Sequence, residues 1–166
     1  FKQKELDETE VSVLAEAYRL IQKEMAEMRN GISREMSQRE MDDRRKLLEK
    51  RKKITEEVFE RAAKSLNEFT QKSDYPHLLQ KFAGELSKTF HKPGTVLFIK
   101  KDDQKYQELI QQAFGSDCTF KIDADIHIGG IRAYNSEMGI VADETLDSML
   151  EDQLEWFEEN SGMAVV

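Results

Sequence analysis

Cysteine occurs once in the 166 residues, at Cys118. A lone thiol excludes an intrachain disulfide framework and fits a reducing, cytosolic setting. Proline is almost as scarce. Pro76 and Pro93 are the only two, and Gly31 is the only glycine before Pro76. The first seventy residues therefore contain little that would stop a helix. No apolar run approaches the ~20 residues of a membrane span, and no secretory signal is visible, so direct membrane insertion is not expected. The three histidines, His77, His91 and His127, lack metal-ligand spacing. No lysine or arginine follows Arg132. The chain opens at Phe1, without methionine and in mid-pattern, which leads us to expect an N-terminus that extends further.

Charge is what the chain has in quantity: 35% of residues are charged and 39% apolar, with a net charge of −8. That is too charged for one large core and too helix-friendly for disorder. Residues 1–70 hold 16 basic and 16 acidic side chains, and residues 71–166 hold 9 and 17. An acidic C-terminal half argues against nucleic acid or anionic lipid as its partner.

In the first seventy residues, apolar side chains recur at Val11, Leu14, Tyr18, Ile21, Met25, Met28, Ile32 and Met36. Steps of three and four make a heptad seam that drifts towards an eleven-residue spacing. Glu-to-base pairs four apart (Glu35/Arg39, Glu40/Arg44, Glu49/Lys53, Glu57/Arg61, Glu60/Lys64) support a long solvated helix. If unbroken from Leu6 to Phe69, it spans roughly 95 Å, more stripe than a small domain can cover, so a partner helix is expected. Asn30-Gly31 marks either a kink within a continuous helix or the turn of a hairpin. The basic run 44–53 reads as a solvated helix face, because Glu40, Asp42, Asp43, Glu49, Glu56 and Glu57 interleave with or flank it. The methionines fit a partner-helix seam better than a cofactor site.

From residue 71 the texture changes. Ser73 or Asp74 caps a helix with Pro76 in its first turn and Tyr75, Leu78, Leu79, Phe82, Leu86 and Phe90 at helical spacing. A strand is expected at 95–100, a helix over 103–114 and a strand at 119–123. Ile126 and Ile128 continue as strand or strand end, and Ile131–Tyr134 forms another strand. A hairpin loop at Asn135–Gly139 and a return strand from Ile140 follow, and Asp143 or Thr145 then caps a final helix burying Leu146, Leu150, Leu154 and Phe157. The expected fold is α+β: a long coiled-coil-type helix over 1–70, then a small mixed α/β domain over 71–166 with a sheet of about four strands packed by helices.

Gly129-Gly130 leads into a strand rather than into a helix N-terminus. That excludes a phosphate loop and favours a bend. Asp123 and Asp125 are expected on one side of a strand, as solvated edge acids rather than a catalytic pair. Cys118 has no partner signature. Trp156 anchors an interface or caps the core. No catalytic, metal or cofactor site is expected.

The stretch "GGIRAYNSEMGIVADETLDSMLEDQLEWF" resembles the E subunit of the V-type and archaeal-type (A-type) rotary ATPases, with Gly129, Gly130, Ile140, Asp143, Thr145 and Leu146 in the places of the family's motif. "RRKLLEKRKKITEEVFERA" and "VLFIKKDDQKYQELI" are similar to further family segments. The turn here reads Ser-Glu-Met-Gly instead of a tight Asp-Gly, and Asn30-Gly31 interrupts a helix the family keeps continuous.

The resemblance implies a non-catalytic peripheral stalk (stator) subunit, cytoplasmic and peripheral to a membrane complex. It implies a coiled-coil heterodimer with the G subunit (named H in archaeal complexes) through Leu14, Tyr18, Ile21, Met25, Met28, Ile32 and Met36. It also implies contact of the C-terminal domain, with Trp156 as anchor, with the A/B catalytic ring, and of the N-terminal end with the membrane stator subunit. In isolation the stripe is expected to pair with a second copy. Three rivals are a stator of a flagellar or type III secretion ATPase, a coiled-coil nucleic-acid-binding protein using 44–53, and a small enzyme using Asp123, Asp125 and His127.

Overall fold

The structure is a computed structural model that describes residues 2–163, with side chains from residue 8 onward. The chain forms two compact units, residues 1–50 and 51–166. Helix α1 runs over Lys2–Phe69, and its residues up to Lys50 make the first unit. It is unbroken at Asn30-Gly31, so the hairpin is ruled out. A single glycine costs a helix only about 1 kcal/mol, too little to stop one this long. A Cβ at Gly31 would meet nothing within 4 Å.

Every described side chain from Glu8 to Leu47 is exposed. Of the five expected ion pairs only Glu35–Arg39 forms, at 2.6 Å. The others among the described residues of α1, Lys23–Glu27, Arg45–Glu49 and Lys52–Glu56, place the base first. Solvated charges on a helix exchange partners at almost no cost, so spacing alone does not select one pairing.

The second unit comprises the last turns of α1, then α2 (Tyr75–Thr89), β1 (Thr95–Ile99), α3 (Gln107–Phe114), β2 (Cys118–Ile122), β3 (Gly130–Asn135), β4 (Ile140–Thr145) and α4 (Leu146–Asn160). A 3₁₀ stretch over Lys101–Tyr106 replaces the start of the helix expected from 103. The sheet order is β2-β1-β3-β4, with β1 and β2 parallel and the other pairs antiparallel. Phe82 and Leu86 from α2, Phe90 just after it, Ile110 and Phe114 from α3, and Leu97, Ile99, Ile131 and Ala133 from the strands fill the core. Ala63, Leu66 and Phe69 of α1 pack against it, and Phe59 meets Phe157 of α4 edge-on at 5.6 Å.

Two local expectations are corrected, and one left between two residues is decided. Residues 123–129 are a loop, not a strand. Ile126 and Ile128 are buried all the same, so their alternation reflects a loop plugging the core. Asp123 and Asp125 consequently lie past the end of β2 and not on one face of it. At the start of α4 the cap is Thr145, whose hydroxyl accepts the Ser148 N–H at 3.2 Å. Asp143 sits in β4 and acts on Thr145 instead.

Candidate interaction surfaces

In the first unit the seven stripe residues Leu14, Tyr18, Ile21, Met25, Met28, Ile32 and Met36 are between 44% and 66% exposed. Nothing in the described residues covers them. The spacing is close to eleven: Leu14, Met25, Met36 and Leu47 stand eleven apart. Eleven residues complete three helical turns with about 20° left over, so such a row runs almost straight along the helix. A straight apolar row on an exposed helix leaves a continuous apolar strip in water.

In the second unit, five of the six motif residues meet where β3, β4 and α4 join. Gly130 pairs with Thr145 in the β3–β4 ladder. Its φ of +103° suits glycine, and a Cβ there would lie 2.6 Å from Thr145 Cα and against the Glu144 carbonyl. A Cβ on Gly129 would collide with the Tyr75 hydroxyl. The Gly129 carbonyl accepts the N–H of Leu146, which is buried, at 2.9 Å. Ile140, the sixth, lies at the far end of β4, partly buried against the core.

The N–H groups that a phosphate would need are already engaged. Asp147, in the first turn of α4, accepts those of His127 and Ile128 at 3.0 Å and of Gly129 at 3.3 Å. Tyr75 Oη accepts the Gly130 N–H at 3.0 Å and donates to Asp103 Oδ2 at 2.7 Å. The glycine pair is therefore a latch that ties the 123–129 loop to α4 and to the start of α2. Burial drives the Tyr75 phenol well above its ordinary range, and the hydrogen bond to Asp103 adds to this. Burial also raises the Asp103 carboxyl, against the opposing pull of Tyr75 and Lys100. Tyr75, Asp103 and Asp147 carry no signal in the sequence. The first reads as a helix-spaced apolar residue and the acids as ordinary surface charges.

Asp143 accepts both the N–H and the hydroxyl of Thr145 and pairs with Arg132 Nε at 2.9 Å. Burial pushes its carboxyl up, but these bonds outweigh it and leave the group below its ordinary value. Arg132 Nη1 also reaches Asp123 at 2.7 Å, and the Asp143 bond foremost raises its guanidinium. Asp123 is thus committed to Arg132, and His127 is exposed with its backbone held by Asp147. The acids and the histidine do not converge. Burial, then the charge of Asp117, raises the Cys118 thiol, which suppresses its reactivity. Among the described residues no group of three or more His, Cys, Asp or Glu is placed to hold a metal ion, and no helix is long and apolar enough to cross a membrane.

Two further exposed features belong to this unit. Trp156 is 59% exposed on α4, while its neighbour Phe157 takes the packed position against Phe59. The register sets Val141, Tyr134, Val96 and Thr119 side by side across the sheet. They lie on the face opposite the buried Leu97 and Ala133.

Among curated proteins none matches the chain. The family model described as ATP synthase (E/31 kDa) subunit matches residues 2–157, which include the exposed helix, the latch and nearly all of α4. The chain therefore belongs to the ATP synthase (E/31 kDa) subunit family.

Proposed function

We propose that the protein is a non-catalytic peripheral stalk subunit of a V/A-type rotary ATPase. The stripe of α1 pairs with the long helix of the G subunit (H in archaeal complexes). The domain after it, with Trp156 as an anchor, binds the A/B catalytic ring, and the N-terminal end reaches the membrane stator subunit. Held this way, the ring resists rotor torque, so that ATP turnover stays coupled to proton or sodium transport. The observation that carries this reading is the exposed straight stripe on a helix that has no core of its own, in a chain of the ATP synthase (E/31 kDa) subunit family. A lone helix bends easily, and pairing is what stiffens it sideways. The latch fits a scaffolding part, since its polar groups are spent on one another.

Co-expression of the full chain with the G subunit from the same source, followed by size exclusion with light scattering, tests the proposal. A 1:1 complex with higher helicity and melting temperature than the isolated chain is expected. A chain that stays a stable monomer beside that partner overturns it.

A further inference from the structure

The second unit carries a groove of about 440 Å³, lined from two sides by its own helices. The last turns of α1 supply Thr55, Phe59 and Ala63, spaced four apart, and α4 supplies Leu154. Four charged side chains complete the lining, together with Met163. Thr55 is only 7% exposed, and its hydroxyl donates to the Arg51 carbonyl at 3.1 Å, so its proton is not spent on the groove. An apolar channel of this kind, left in water, favours an apolar occupant.

The chain itself leads into it. Helix α4 finishes in the exposed polar run Glu158-Glu159-Asn160-Ser161. Gly162, at a φ of +70°, then reverses the backbone, and the residue after such a glycine commonly packs back on its helix. Met163 does so here: it is half-buried and forms part of the groove wall. The sequence continues with Ala164, Val165 and Val166, which lie outside the described residues. Composition thus turns from wholly polar to wholly apolar at the residue that touches the groove. A segment tethered at that wall has a high effective concentration there, which no separate molecule shares. We propose that the groove is the seat of Ala164, Val165 and Val166, and that these residues strap α4 to the last turns of α1, beside the Phe59–Phe157 contact that joins the same two helices. The inference does not depend on the stalk reading.

Nuclear Overhauser spectra of the full chain, with labelled valine, leucine and methionine methyls, test it. Cross-peaks are expected from Val165 or Val166 methyls to the Phe59 ring and the Leu154 methyls. In the variant carrying Val165→Asp and Val166→Asp, amides around Phe59 and Leu154 should exchange several-fold faster, and the domain should melt about 2 °C lower or more. Met163 cross-peaks to the groove without any from the two valines overturn the proposal. A sample mixing labelled and unlabelled chains shows whose valines are seen. Cross-peaks that run between chains make a second copy the occupant and overturn it as well. So does a groove that the valines leave empty and whose signals shift only when the G subunit is added.

Discussion

At the scale of single residues, the domain depends on a few polar contacts buried out of reach of water. Gly130→Ala places a Cβ against the backbone of Glu144 and Thr145 at a φ of +103°. Neither backbone segment can yield without breaking the β3–β4 ladder, so a loss of about 3 kcal/mol is expected in urea unfolding. Tyr75→Phe leaves the Gly130 N–H without its partner and Asp103 buried without its donor. At neutral pH this should cost about 3 kcal/mol.

The pH dependence at Asp103 has a definite sign. Its folded pKa lies above its ordinary value of 3.8, so its contribution to stability is full below that value and is lost as pH rises through the folded pKa. Asp143 runs the other way, with stability present above its ordinary value and lost as pH falls through the lowered one. Because Asp103 takes up a proton in acid, the penalty of Tyr75→Phe should shrink when urea unfolding is repeated towards pH 4. A penalty that stays constant would mean that the carboxylate is not what the phenol stabilises.

At the scale of elements, α1 and the domain obey different rules. Gly31 lies in an exposed helix interior with open space around its Cα. Gly31→Ala should therefore raise helix stability by about 1 kcal/mol, seen as higher ellipticity and slower amide exchange around residue 31. Met25 is the least exposed of the stripe residues. Met25→Glu puts a charge in the middle of the seam. On the proposed pairing it should weaken binding to the G subunit by about 2 kcal/mol or more in isothermal titration while leaving the melting of the domain unchanged. An equal loss in both measurements would place Met25 in the fold and not in an interface. The same difference explains the ion pairs on α1. Short i,i+4 contacts in water trade freely, whereas in the Asp123–Arg132–Asp143 set Arg132 and Asp143 are fixed opposite each other on β3 and β4.

At the scale of the whole molecule, the two units should respond separately to hydrogen exchange. Amides of residues 8–47 sit in a helix with no tertiary cover, and those around Leu79–Leu86, Leu97–Ile99 and Ile131–Ala133 belong to the core. In the isolated chain the first group should exchange fast and the second slowly. On the proposed pairing, adding the G subunit should slow the first group alone, since protection there would come from binding. Uniform protection in the isolated chain would mean that the stripe is already covered.

Much of this is legible in the residues themselves. A run of seventy with one glycine and no proline, apolar at three- and four-residue steps, can be little other than a helix with an apolar stripe. The order of elements after it follows from equally local signals: Pro76 in a first turn, the β-branched run from Thr95, and glycine at the Gly139 turn. What only the tertiary structure decided is which polar groups meet. Tyr75 and Asp103 are 28 residues apart, Tyr75 and Gly130 are 55, and Asp147 reaches back 18 to 20 residues to the loop. Helix and strand periods describe only neighbours along the chain, so they cannot foresee such contacts. The loop at 123–129 reads as strand for the same reason: burial of Ile126 and Ile128 imitates strand alternation, and only the fate of the backbone N–H groups, taken by a side chain instead of a neighbouring strand, tells the two apart.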